Sequence, residues 1–274
     1  MRPKEKGTGA VCAEHPTGPT GKRLLSPFPL PVACLAALAA GVLACTRASA
    51  ADGKEFSVDE VLDQMSRKSA SIKDLRATAQ VTKFDSVFEE KHQLRLELFY
   101  KKPDLTRVDT YRKREGKEVH TQQLILGKDF VLRVWPENRH GELRRMDPEE
   151  MKRQREDRND PLTFFSRTPE DLKKDFDIKL VGPETPGLVK LAIAPKNEQV
   201  HFDYKSVELV VDTNTWMPTT IKAMTDGEED DWSLYVFEKV VVNGGIEESV
   251  FEPPKNITIE EVDKDAPVKK DEEK

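Results

Sequence analysis

"HQLRLELFYKKPDLTRVDTY", residues 92–111, decides the fold. In its first half Leu94, Leu96, Leu98 and Tyr100 fall on one side of an extended chain, and Gln93, Arg95, Glu97 and Phe99 on the other. Pro103 interrupts the run, after which Leu105, Arg107, Asp109 and Tyr111 share a face. Alternation on both sides of a short proline-centred turn is the pattern of two antiparallel strands. It also sets a puzzle, because an arginine among apolar neighbours on a strand face is costly if that face is buried.

The same texture extends outward. "RATAQVTKF" (76–84) precedes the pair, and "VHTQQLIL" (119–126) and "FVLRVW" (130–135) follow it, with turns at Gly116 and at Gly127-Lys128-Asp129. Strands in such close succession make an antiparallel meander. Upstream, "SVDEVLDQM" places Ser57 three residues before Glu60, a capping box, and Val58, Val61, Leu62 and Met65 then recur at helical spacing. Residues 139–175 change texture. Asp147-Pro148 and Thr168-Pro169 each open a short helix, and "DPLTFFS" between them carries Leu162, Phe164 and Phe165. Strands resume at 176–181, 188–194, 199–205, 207–212, 217–224 and 232–242, giving about ten or eleven in all. "VFEPPKN" (250–256) closes the ordered part. The charged, proline-broken tail from Thr258 to Lys274 reads as disordered.

Residues 32–45, "VACLAALAAGVLAC", form an uncharged run of 14 residues behind Lys22-Arg23. The run is short for a membrane span and fits the apolar region of a secretory signal, with "RASA" supplying Ala48 and Ala50 before Ala51. Residues 1–50 are therefore expected to be removed, leaving 51–257 as a single domain followed by the 258–274 tail. Lipidation at Cys45 is the alternative, though Leu43 is bulky where a small residue is usual. All three cysteines lie in the leader, so the mature chain has no disulfide and is stabilised by its core alone. Export without disulfides suits the periplasm of a Gram-negative bacterium. The leader holds six basic and two acidic residues; subtracting them from 44 and 50 leaves 38 and 48, a mature net charge of −10. That charge argues against nucleic acid or anionic lipid surfaces as main partners.

No enzyme is specified. The mature chain lacks a cysteine nucleophile, a G-x-S-x-G, a phosphate-cradling glycine loop and an H-E-x-x-H. His92, His120, His140 and His201 are scattered without a second ligand at metal spacing, and no cofactor or metal is expected. What remains is shape: a mainly β (α+β) chain whose long antiparallel sheet has an apolar face to bury. Either helices pack on that face permanently, or it is a half-barrel whose apolar face takes a ligand beneath a movable 139–175 cover.

The order of features resembles the periplasmic lipoprotein carrier family, LolA, and its outer-membrane relative LolB. The pieces are the helix at 57–66 followed by "IKDLRATAQVTKF", then "KKPDLTRVD", which matches the family's proline, three residues, arginine at Pro103 and Arg107. "LGKDFVLRVWPENR", "DPLTFF", "VDTNTWMPTTIKAMTDGEEDDWSLYVF" and "VFEPP" follow in the family's order. The resemblance implies a strongly curved antiparallel sheet forming an incomplete β-barrel, with an N-terminal helix and short lid helices. It implies a monomeric carrier that shields lipoprotein acyl chains between an inner-membrane release complex and an outer-membrane acceptor. An anchored acceptor, or a lipid-binding envelope-stress sensor of the same fold, is the alternative. Arg107 is then expected to hold the lid by bonding its backbone carbonyls; the alternative is a surface salt bridge to Asp109 or Glu97. The expected acyl-chain lining is Leu94, Leu96, Leu98, Leu124, Leu126, Phe130, Leu132 and Val134, with Phe164 and Phe165 from the lid. Alternation alone leaves open which face is concave.

Overall fold

A computed structural model describes residues 56–151, 168–181, 185–197, 200, 202, 204–225 and 231–263. The first helix, α1 (Val58–Ser71), starts where its capping box requires: the Ser57 Oγ accepts from the Glu60 N–H at 3.2 Å, and the Glu60 carboxylate accepts from the Ser57 N–H at 2.9 Å. Its apolar stripe, Val61, Leu62 and Met65, is buried.

A first meander comprises β1 (Asp74–Asp85), β2 (Glu90–Lys101), β3 (Leu105–Arg114), β4 (Lys117–Leu126), β5 (Phe130–Trp135) and β6 (His140–Arg145). The peptide bond Lys102-Pro103, in the turn from β2 to β3, is cis. A second meander comprises β7 (Phe176–Val181), β8 (Leu188–Pro195), β9 (Tyr204–Asp212), β10 (Met217–Thr225) and β11 (Trp232–Val242). The two join because β1 pairs with β11, and β12 (Thr258–Val262) adds to β6, making one twelve-stranded sheet. Every pairing is antiparallel except β12 with β6. The sheet is curved, and its end strands β12 and β7 do not pair with each other, so the barrel is incomplete, as the sequence led us to expect.

The structure differs from the expectations set by the sequence in three places. His140–Arg145, taken for the start of a helical insertion, is the strand β6. Two expected strands at 199–205 and 207–212 are one continuous strand, β9, from Tyr204. The expected disordered tail begins with five residues in β12, while 264–274 lie outside the described residues. Both short helices start as expected. The Asp147 carboxylate accepts from the Glu150 N–H at 2.8 Å, and residues 148–151 are helical. Thr168 caps α2 (Pro169–Asp175), its Oγ1 accepting from the Asp171 N–H at 3.2 Å. Lys173 of α2 reaches Asp59 of α1 at 3.0 Å. No helix among the described residues is long and apolar enough to cross a membrane.

Register carries two distinct faces through the sheet. One row runs Leu191, Leu209, Ile221, Tyr235, Val81 and Leu94 from β8 to β2. The first five of these are at most 4% exposed. This is the inner face, and burying each large side chain in it contributes about 1.5–3 kcal/mol. The opposite, outer face of the second meander carries Lys190, Glu208, Lys222 and the exposed Val236. Over β2–β4, however, both faces hold buried residues, and that difference defines the candidate sites.

Candidate functional site

The inner face gathers part of the expected lining. Leu98 pairs with Val108, which pairs with Leu124; Leu96 and Leu94 continue the same face on β2, and Leu126 continues it on β4 opposite Thr106. Leu96, Leu98, Leu124 and Leu126 are all at most 5% exposed, while Leu94 is partly exposed. These four side chains are therefore buried, and Leu94 is the part of the set that reaches solvent.

Phe130, Leu132 and Val134 do not belong with them. Leu124 pairs with Arg133, so the inner positions of β5 are Val131 and Arg133. Leu132 instead pairs with Ile125, and Val134 with Gln123, on the outer face. There Phe99, Ile125, Leu132 and Val134 form a compact cluster around Phe251, with Phe130, Leu105 and Leu143 at its margin. The expected lining is thus two surfaces on opposite sides of one sheet. Phe164 and Phe165 lie outside the described residues.

Arg107 sits at the edge of this outer cluster. Pairing places it between Phe99 and Ile125, with its guanidinium carbon 5.6 Å from the centroid of the Phe99 ring. Its charge is answered within β3. The Arg107 Nη2 donates to Asp109 Oδ2 at 2.7 Å, and Nε donates to Oδ1 and Oδ2 at 3.1 and 3.0 Å. Its remaining arm, Nη1, donates to the Val250 carbonyl at 2.9 Å. That carbonyl belongs to the segment between β11 and β12, not to the described residues of 139–175 where the lid was expected.

Asp109 is 1% exposed and is the hub of a polar network. Gln123 Nε2 donates to its Oδ1 at 2.8 Å, and His120 Nε2 lies 3.5 Å away, an ion-pair distance but too poorly aimed for a good hydrogen bond. Burial pushes the Asp109 pKa up, but the interactions with His120, Arg107 and Gln123 outweigh it and hold the carboxyl below its ordinary value. The imidazole of His120 stacks on Tyr111 at 4.7 Å, and Arg95 covers Tyr111 with its guanidinium carbon 4.0 Å from the ring centroid. Glu118 and Glu97 in turn hold Arg95 at 2.6 Å each.

The sequence offered Asp109 as a salt-bridge partner of Arg107 but gave no sign of Gln123 and His120 beside it. Gln123 and His120 lie 14 and 11 residues further on: Gln123 faces Asp109 as its direct partner when β4 folds back, and a shift in register between Thr110 and Tyr111 sets His120 opposite Tyr111. No group of three or more histidine, cysteine or acidic side chains among the described residues is placed to hold a metal ion. The polar network neutralises a buried carboxylate and fixes a guanidinium, which is the arrangement of a structural anchor.

No protein-family model matches the chain, and no curated protein is significantly similar to it. Solved structures of similar fold include a conserved protein of Thermus thermophilus (12% identity, 74% of this chain and 98% of that one, TM-score 0.47). They also include LolA superfamily protein NE2245 of Nitrosomonas europaea (9% identity, 73% of this chain and 99% of that one, TM-score 0.38). A third is from the Pseudomonas aeruginosa MucA/MucB complex (13% identity, 74% of this chain and 64% of that one, TM-score 0.40). These are likenesses of fold.

Proposed function

We propose that the protein is a periplasmic carrier that shields the acyl chains of lipoproteins during transfer from the inner to the outer membrane. The observation that carries this reading is the inner face itself: an apolar surface continuous across an unclosed sheet. Exposing a sixteen-carbon chain to water costs on the order of 12 kcal/mol, at about 0.8 kcal/mol per methylene. A lipid-bearing protein therefore crosses an aqueous compartment only if something covers the chain, and a curved sheet does so without catalysis. Leu94, Leu96, Leu98, Leu124 and Leu126 are the proposed lining, and Leu94 is where a chain first meets the face. Phe130, Leu132 and Val134 are left out because they face the other way. The lipoprotein's donor and acceptor are the inner-membrane release complex and outer-membrane acceptor that the sequence resemblance implies.

Cys45, in "VLAC", favours a second reading, an anchored acceptor or lipid-binding sensor module using the same face. A detergent-removal assay tests what the two share. Mixed with a triacylated lipopeptide in detergent and then dialysed, the protein is expected to keep the lipopeptide in solution, and Leu94→Arg to lose most of that capacity. Lipopeptide that sediments equally with and without the protein would overturn the proposal.

A further inference from the structure

The 243–257 segment, which the carrier reading does not use, crosses the outer face. Its ends fix its course: β11 lies beside β1 and β12 beside β6, so the chain between them spans the whole first meander. The entry is pinned. Asn243, at φ 55°, accepts from the Lys73 N–H at 2.7 Å, and the Gly245 N–H donates to the Asp74 carboxylate at 3.1 Å with Gly245 at φ 80°. The exit is pinned by the Thr258 N–H, which donates to the Arg139 carbonyl at 2.9 Å where β12 joins β6.

Between those pins the attachment is of a different kind. Among the described residues, the backbone-to-backbone hydrogen bonds from 246 to 257 are internal turns, Val250 to Glu247 and Glu252 to Ser249. What ties the strap to the sheet is side chains. Phe251, 4% exposed, fills the trough of Phe99, Ile125, Leu132 and Val134, with Ile246, Val250 and Ile257 half-buried beside it; Arg107 donates to the Val250 carbonyl; and Lys101 meets Glu248 at 3.3 Å. A segment attached by a few side chains opens at lower free energy than strands held by a full ladder. The trough residues Phe99, Ile125, Leu132 and Val134 are set by the pairing of β2 to β5, which does not involve the strap, and Asp109 and Gln123 orient Arg107 from within the sheet.

We infer that the 246–257 strap is a releasable cover, with Phe251 as its plug and Arg107 as its latch, which opens independently of the sheet to bare a pre-formed apolar trough on the outer face. Two hinge residues suit this motion, Gly244 and Gly245, the second already in the left-handed region. The device is separate from the inner face and stands whether or not that face carries lipid.

Thiol labelling of the folded full chain tests it. In a background carrying Cys12→Ser, Cys34→Ser and Cys45→Ser, one probe is Val134→Cys beneath the strap and the other is Leu209→Cys on the inner face. Val134 is 0% and Leu209 2% exposed, so neither labels without an opening. Val134→Cys is expected to react at least ten times faster than Leu209→Cys. Adding Phe251→Ala is expected to speed the first by a further ten-fold or more and leave the second unchanged. Arg107→Gln, which leaves the plug intact, gives an independent reading in the same direction. Equal labelling rates at the two positions, or both rates moving together in either variant, would mean that the strap opens only when the sheet unfolds and would overturn the inference.

Discussion

Arg107 shows how a charge is kept on a covered strand face. It is not neutralised across the barrel but two residues along its own strand, where Asp109 meets it in a forked pair and is itself steadied by Gln123. Removing the carboxylate leaves a guanidinium facing an apolar cluster. Asp109→Asn is expected to destabilise the protein by about 2–3 kcal/mol, less than for a fully buried pair because Arg107 keeps some solvent contact. The pH dependence has a definite sign. With its pKa lowered in the folded state, Asp109 contributes its full stabilisation above the ordinary carboxylate pKa, and that contribution disappears as pH falls through the lower folded value. Urea midpoints measured across that range should show the gap between wild type and Asp109→Asn narrowing as the pH falls; a gap independent of pH would contradict this assignment. At this scale the alternation of 105–111 was legible, and so was the oddity of Arg107. The identity of its carbonyl partner was not, because Val250 is 143 residues away and no periodicity links them.

Among the elements, the capping signals read most directly, since a cap depends on four neighbouring residues and little else. Ser57, Asp147 and Thr168 all cap where the sequence placed them. Thr168→Ala is expected to lower stability by about 1 kcal/mol, measured as a shift in the urea midpoint, whereas an unchanged midpoint would mean that α2 does not depend on its cap. β6 and β12 were missed for a physical reason. "HGELRR" and "TIEEV" carry few apolar side chains, and their backbone pairing, rather than burial, holds them at one end of the sheet. The mixed lining set has a related cause. In "QLIL" burial is continuous, because one face meets the inner core and the other the strap, and a strand buried on both sides loses its alternation; in "FVLRVW" an apolar residue also occupies the less buried inner side, at Val131. Only the register across Gly127-Lys128-Asp129 decides which leucine faces inward. Leu132→Ala, on the outer side, should cost about 2–5 kcal/mol as a core truncation yet leave lipopeptide capture by the surviving folded protein intact. Capture lost in proportion to the outer-face truncation would merge the two surfaces.

As a whole molecule, the chain separates its tasks by side. The inner face runs unbroken from β8 to β2, whereas the outer face is solvated over the second meander and strapped over the first. The antiparallel meander was legible because strand succession and short turns specify it whatever the side chains do afterwards, whereas its curving into an incomplete barrel was implied by the family resemblance. The joining of the two meanders into one twelve-stranded sheet was not legible, since the pairing of β1 with β11 joins segments about 160 residues apart. Native mass spectrometry of the protein purified from its own envelope tests whether the inner face holds an acyl chain. A chain beginning at Ala51 and carrying a lipid or lipoprotein adduct is the predicted result. A bare chain beginning at Ala51, unchanged after incubation with triacylated lipopeptide, would contradict the account and leave the inner face as a permanently filled core.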